Sequence, residues 1–492
     1  MDVRRGEAED SPTVRVNKQT FLDAIICPTR GWLTRHEATD PSEGDRFRMA
    51  EGIDIGRRAR NLFPSGTLVS EVGLDAAAAK TQELMADPNV PAIFEATWLV
   101  DQFVAKADIL VRQPRGWKVL EVKSGINPKS EYINDVAYTL MIASRAGVKV
   151  ASAALVLLNQ GYRLGADESE LFAEHDVSEE AFAAAQKFEA DWESVPVSAL
   201  AARQPPSALI FACRGCPYFR GPCFGGEGIN HILDLPRLST KGFDTLNRLN
   251  VTRISEIPPG IELTPTQERV RTAVNSGHPV VLNPDLQSFL NQATWPAFYL
   301  DFETTKSAIP LFPTVAPHEQ VVTQYSVHVC TAPGDVTDHR EFLADPSCDQ
   351  RRELAERLLQ DLEDHGSLVV YSSFEKTVLN RLAKLFPELR GRLHRCVNRL
   401  FDLEKAFRDH FYHPAFGGRT SIKATLPALV NLTYDGLEIG DGDTAMSRFA
   451  QMVRGEISGI EADATRRALL KYCEQDTLGM VLLHKVLVDH SR

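Results

Sequence analysis

The chain is 492 residues long, 43% hydrophobic and 24% charged, with a formal net charge of −12. That length exceeds one ordinary domain, and the composition is that of a globular protein. The acidic balance excludes a protein that coats duplex nucleic acid but leaves room for an enzyme with a local basic groove, and no apolar run reaches the length of a membrane span.

The N-terminus, Met1-Asp-Val-Arg-Arg-Gly-Glu-Ala-Glu-Asp10, is charged and has no apolar secretory segment, so a cytoplasmic protein with no membrane partner is expected. Residues 1–16 read as disordered. Helical periodicity starts at Lys18, takes in Phe21, Leu22, Ile25 and Ile26, and continues past Cys27-Pro28 to Trp32 and Leu33. A second helix is expected over 47–62, stopped at Phe63-Pro-Ser-Gly66, and an Ala-rich third over 74–85. Strands follow over 93–104 and 106–111. The turn Gln113-Pro-Arg-Gly116 then leads into Trp117-Lys-Val-Leu-Glu-Val-Lys-Ser-Gly125.

This hairpin carries Asp108 on one arm, with Glu121 and Lys123 on one face of the other. Two carboxylates can hold a hard cation, and a lysine can orient water or stabilise charge building on a phosphate. The competing reading is an exposed hairpin with a cross-strand ion pair.

Eight cysteines stand at 27, 213, 216, 223, 330, 348, 396 and 473. In a cytosolic chain they are not expected to form a disulfide framework, and the last four read as free thiols. Cys213, Cys216 and Cys223 cluster with gaps of two and six, one ligand short of four, and Cys27 is the best fourth. Four thiolates suit a [4Fe-4S] cluster, and zinc accepts the same set.

Phe224-Gly-Gly-Glu-Gly228 reads as a flexible joint. The region 226–290 reads as short helices broken by turns, either a packing spacer or a helical hairpin that touches a nucleic-acid backbone. Beyond it, Phe298-Tyr-Leu-Asp-Phe-Glu-Thr-Thr305 is an apolar strand delivering Asp301 and Glu303 to one face. Two such acids repel unless a divalent cation lies between them, the alternative being two solvated acids at a strand end. A strand over 324–329, a helix over 352–362, a buried strand over 366–371 and a helix opened by Ser372-Ser-Phe-Glu375 alternate as in an α/β domain. Arg399-Leu-Phe-Asp402 starts a third segment. The last helix, from about 461 to the end, carries Tyr472 and Asp476.

The spaced Asp108…Glu121-Val-Lys123 resembles the core motif of the PD-(D/E)xK nucleases in their RecB-like branch. Asp135-Val-Ala-Tyr138-Thr-Leu-Met141 sits where that branch carries its Gln/Tyr helix, with Thr139 in place of the Gln. Gly52-Ile-Asp-Ile-Gly56 lacks the His or Glu that often ends the earlier helix, leaving Glu51, Asp54 and Glu95 as substitutes. One early and three late cysteines are similar to the subset that includes CRISPR-associated single-strand exonucleases and AddB-type proteins. That implies a [4Fe-4S] cluster stapling the domain ends.

The C-terminal half resembles the DnaQ-like 3′–5′ exonucleases of the RNase H superfamily. Asp301 and Glu303 match the first motif, Glu375 stands where the second usually has Asp, and Tyr472 with Asp476 matches Tyr-x-x-x-Asp. Ser421-Ile-Lys423 and Asp435-Gly436 look closer still to an uncharacterised bacterial domain family found behind RecB-like nucleases.

The resemblances imply an α/β chain in four parts: 1–16 disordered, 17–225 a restriction-endonuclease-like (PD-(D/E)xK) domain, 226–290 a helical linker, and 291–492 an RNase H-like domain. They imply a nuclease acting on ends of single-stranded DNA or RNA with Mg²⁺ or Mn²⁺. The ions would be held by Asp108 and Glu121 at one site, with Lys123 catalytic, and by Asp301, Glu303, Glu375 and Asp476 at the other, with Tyr472 orienting water. The rival readings are a nucleic-acid adaptor with one or both sites inactive, and an iron–sulfur redox sensor.

Overall fold

A computed structural model describes residues 15–37, 40–225 and 230–492 of the chain. The periodicity that begins at Lys18 resolves into two helices. In α1 (Lys18–Ile26) the Asn17 side chain caps the start by accepting from the Thr20 N–H. Cys27 then turns extended, and α2 (Pro28–His36) opens with Pro28, whose missing N–H is no loss at a first helical turn. A capping box between Ser42 and Asp45 starts α3 (Glu43–Ala59) earlier than the apolar pattern indicates.

Then come β1 (Thr67–Leu68), α4 (Leu74–Ala86), β2 (Ala92–Val100), β3 (Phe103–Gln113), β4 (Gly116–Val122), α5 (Ser130–Arg145), β5 (Val150–Leu158), β6 (Phe172–Asp176), α6 (Ser178–Phe188) and α7 (Ser194–Ala199). Six strands lie side by side in chain order. β2, β3 and β4 form an antiparallel meander, and β4 and β5 run parallel across α5. The strand expected over 93–104 is divided at Asp101 and Gln102, a polar pair that turns the chain, with Asp101 at φ 49°. Phe21, Tyr138, Leu155 and Trp192 belong to the core on one face of the sheet, and Phe94, Ile109 and Leu120 to a smaller core. Val16, inside the stretch expected to be disordered, is fully buried and bridges to Phe103. Residues 1–14 lie outside the described residues.

The middle of the chain holds α8 (Thr240–Arg248), α9 (Pro265–Ser276), β7 (Val280–Val281) and α10 (Asn283–Leu290). These elements are not a loose tether. Ile232, Phe243, Val270 and Leu286 share one apolar core with Tyr299, Phe407 and Met480 of the C-terminal part.

The second sheet is built from β8 (Ala297–Thr305), β9 (Val321–Ala332), β10 (Asp335–Leu343), β11 (Ser367–Val370) and β12 (Leu400–Asp402), in the order β10-β9-β8-β11-β12. The order puts β8 in the middle, antiparallel to β9 and parallel to β11. Helices α11 (Arg351–Asp361), α12 (Phe374–Leu385) and α13 (Arg390–Asn398) fall between these strands. They are followed by β13 (Phe411–Tyr412), which pairs with β7, and by α14 (Ile422–Leu429), α15 (Gly442–Val453) and α16 (Gly459–His490). The molecule is a mixed α/β protein. Among the described residues no helix is long and apolar enough to cross a membrane.

The two halves are joined by a polar lock. Glu51 on α3 accepts from Ser307 Oγ at 2.7 Å and the Ala308 N–H at 2.9 Å, and pairs with Arg454. His318 Nε2 donates to the carbonyl of Ser124, beside the N-terminal hairpin.

Candidate metal centres and a cysteine pocket

Alternation along β8 sends Phe302 into the C-terminal sheet core and leaves Asp301 and Glu303 together on the other face. α16 brings Asp476 to them. The ligand atoms of Asp301, Glu303 and Asp476 all lie within 4.8 Å of one another, the single group of three or more with that property among the described residues. Burial, then the charges of Asp476, Glu303 and Glu375, push the Asp301 carboxyl well above its ordinary range, and burial with Asp476 does the same to Glu303. Burial pushes Asp476 up to about 6, opposed by a hydrogen bond from Tyr434.

Glu375, in the first turn of α12, is buried, accepts from Ser372 Oγ at 3.4 Å and is pushed up to about 7 by burial. It lines one cavity with Asp301, Glu303 and Asp476 but is not one of the three residues whose ligand atoms lie within 4.8 Å. Tyr472 is buried and lines the same cavity of about 350 Å³ together with Asp476. Carboxylates crowded at the floor of a cavity are a donor set of hard oxygens, and it fits Mg²⁺ or Mn²⁺.

The N-terminal hairpin brings together Asp108, Glu121 and Lys123. Asp108 Oδ2 accepts from the Val122 N–H at 2.7 Å. Glu121 is buried; its Oε1 takes Lys18 from α1 and Lys123 at 2.9 Å, while its Oε2 has no hydrogen-bond partner. Burial and the Glu121 charge push Asp108 up to about 7. An orphaned carboxylate oxygen beside a second acid fits a hard cation there. Burial alone would favour a neutral Lys123, but the carboxylates of Glu121 and Asp135 outweigh it and hold the ammonium charged.

The helix after the hairpin presents Asp135 to Lys123. Tyr138 does not face the site: its hydroxyl donates to the carbonyls of Val16 (3.0 Å) and Val104 (2.9 Å) inside the core. Of the three substitute ligands, Glu51 is held in the lock between the halves and Asp54 pairs with Arg58 at 2.9 Å. Glu95 stands opposite Asp108 in the register of β2 and β3, at φ 57°, and pairs with Arg60 at 2.9 Å.

Cys27, Cys213, Cys216 and Cys223 line one pocket together with Ile26, Leu33 and Phe219. Burial pushes the Cys213 and Cys223 thiols up, and the charges of Cys27 and Cys216 act on both in the same direction. The Ile210 N–H donates to Cys213 Sγ at 3.5 Å. Four thiols converging from distant parts of the chain are a donor set for a soft metal centre.

Residues 298–421 match a domain of unknown function, DUF2779. The match contains Asp301, Glu303 and Glu375 and ends before Tyr472 and Asp476. The chain is also similar to an uncharacterized protein of Mycoplasma pneumoniae, 27% identical over 215 residues, and to one of Mycoplasma genitalium, 29% identical over 217 residues. Each alignment takes in 39% of this chain and 32% of the relative, so the chain spans about a third of the length of the curated relatives it matches.

The acidic cavity holds side chains that sequence reasoning did not assign to it. Lys423, on α14, lies 5.6 Å from the Tyr434 ring centre and 5.7 Å from that of Tyr472, and its charge pulls on both Glu303 and Asp476. Tyr434 donates to Asp476 Oδ1, and the Cys473 thiol donates to Asp301 Oδ2 at 3.5 Å. The Ser421-Ile-Lys423 stretch and Asp402 were visible as segments, but no spacing ties them to Asp301. Lys18 and Asp135 were equally hidden, since each reaches the hairpin from a helix outside it.

Proposed function

We propose that the chain is a metal-dependent nuclease that hydrolyses phosphodiester bonds at ends of single-stranded DNA or RNA, with the acidic cavity of the C-terminal half as its principal site. The observation that carries this reading is the convergence of Asp301, Glu303 and Asp476 within 4.8 Å at the end of a central strand. The C-terminal part is then an RNase H-like body and the N-terminal part a restriction-endonuclease-like (PD-(D/E)xK) one. Asp301, Glu303, Glu375 and Asp476 would hold Mg²⁺ or Mn²⁺, which supplies polarisation of the phosphate and a more acidic water when bound. Tyr434 fixes the Asp476 carboxylate by hydrogen bonding, and Tyr472, in the lining of the cavity beside it, would orient the attacking water. Lys423 brings a positive charge to a cavity otherwise lined by acids, which suits a phosphate oxygen.

At the hairpin, Asp108 and Glu121 would hold a second cation and Lys123 would stabilise charge on a phosphate. A second reading applies there: Lys18 and Lys123 already neutralise Glu121, which favours a site that binds nucleic acid without cutting it. The four thiols would hold a [4Fe-4S] cluster, with zinc as the alternative that the same donors accept.

Hydrolysis of end-labelled single-stranded DNA and RNA by anoxically purified protein tests the reading. Asp301→Asn should abolish the main Mg²⁺-dependent activity, and Lys123→Ala should lower any second activity by about 10²–10³-fold with binding nearly intact. Wild-type protein that cleaves neither polymer with Mg²⁺ or Mn²⁺ would sink the proposal.

A further inference from the structure

Beside the acidic cavity lies a second one of about 420 Å³, lined by Arg214, Arg237, Arg269 and Arg408, with one acid, Asp409. The two are neighbours. Thr420 lines the arginine cavity, the next three residues line the acidic one, and Thr420 Oγ1 donates to Glu404 of the acidic cavity at 2.8 Å.

The arginines are poorly neutralised. Arg214 directs its guanidinium to the backbone carbonyls of Leu235 and Leu238, both at 3.3 Å, and Arg269 donates to the backbone carbonyl of Asp409. Among the described residues, Arg408 is the one of the four with carboxylates within ion-pair distance, Asp409 at 3.3 Å and Glu404 at 4.0 Å. Burial draws Arg269 below the ordinary arginine range, and the Asp409 charge opposes it. Arg237 sits at φ 51°, a left-handed backbone that a non-glycine residue holds only under constraint. Pro265 opens α9 at the rim, so Thr264 and Thr266 add the positive end of a twelve-residue helix.

A cavity of about 880 Å³ between α3 and α15 differs in this respect. Its Arg57 and Arg58 face Asp54, Arg448 faces Glu43 and Arg454 faces Glu51, so most of its positive charge is offset from within. In a chain of net charge −12, a cleft of under-neutralised guanidinium groups next to a hydrolytic site calls for a polyanion.

We propose that the arginine cavity holds the phosphate backbone of the same nucleic-acid strand whose end lies in the acidic cavity, as a track for the nucleotides behind the reacting bond. The inference rests on the nuclease reading and adds the path of the substrate. Arg214 stands between Cys213 and Cys216, so the cysteine pocket also positions one wall of the track.

The test measures binding of a fluorescent oligothymidylate about 16 nucleotides long, sufficient to fill one groove, to the full chain in the Asp301→Asn background, as a function of salt. Substituting both Arg237→Ala and Arg269→Ala should weaken binding about ten-fold in low salt. It should also flatten the slope of log affinity against log salt by about 1.4, two phosphate contacts at roughly 0.7 each. A trinucleotide should lose much less, and Arg57→Ala, outside the track, should bind like its parent. Unchanged affinity and slope in the double variant, where the wild type binds and cleaves nucleic acid, overturns the track alone. Displacement of the oligonucleotide by stoichiometric inorganic phosphate overturns it in favour of a small-anion site. Failure of the wild type to bind or cleave any strand overturns the nuclease reading itself.

Discussion

Glu121 and Asp301 show how one residue type meets two electrostatic settings. Glu121 lies buried between two ammonium groups that outweigh its burial and keep it ionised. Asp301 has no such partner and is crowded by three further carboxylates. A carboxyl whose folded-state pKa is raised binds more protons in the native than in the unfolded chain. Its contribution is therefore complete below the ordinary carboxylate range and is lost as pH rises through the folded value. For Asp476 and Glu375, at about 6 and about 7, the window runs from the ordinary values of 3.8 and 4.5 up to neutrality. In a chelator, the melting temperature should accordingly decline as pH rises toward about 7. Millimolar Mg²⁺ should oppose the decline by binding the ionised native site, and Asp301→Asn should respond to Mg²⁺ much less. Calorimetry at several pH values checks this; equal metal responses of the two proteins would remove the carboxylates as a metal site. Asp301 and Glu303 were legible because a strand's two-residue period is written in the chain. Lys423 and Tyr434 were not, because the fold alone decides that α14 and the loop after it lie over that strand.

At the scale of elements, periodicity located most helices and the strands around both sites, and it failed where polar residues interrupt apolar runs. Asp101 and Gln102 split one expected strand in two, and Cys27 splits one expected helix. Strands β5 and β6 were missed because nothing between the hairpin and the cysteines carried a motif. The helix break is structurally productive: it exposes the Cys27 side chain to the pocket formed by Cys213, Cys216 and Cys223. A centre bound there ties α1 and α2 to a segment nearly two hundred residues away, so Cys27→Ser should lower the stability of the N-terminal half by several kcal/mol. The loaded wild type should be brown with a broad visible absorbance. Thermal unfolding of both proteins under anoxia tests the tie, and colourless protein with stoichiometric zinc would exclude the iron–sulfur version.

Across the whole molecule, the Glu51–Arg454–Ser307 lock and the core shared by the middle helices and the C-terminal part make the halves mechanically one. Glu51 is 6% exposed in its side chain and Arg454 24%, so the pair is largely but not fully withdrawn from water. Glu51→Ala removes the acceptor of Ser307 and leaves Arg454 with only Ser307 Oγ and Glu456, at 3.7 Å, and should cost about 2–4 kcal/mol. Hydrogen exchange should quicken in α3 and in residues 306–320 together; quickening in α3 alone would show that the lock does not couple them. The four-cysteine pocket has a consequence for how the protein is made. Cys27 leaves the ribosome roughly 10–40 s before Cys213, at ordinary elongation rates. Throughout that interval α1 and α2 have no late segment to close against. The pocket is thus completed last in the N-terminal half, and whatever fills it must be delivered to a chain that has already been translated past residue 223.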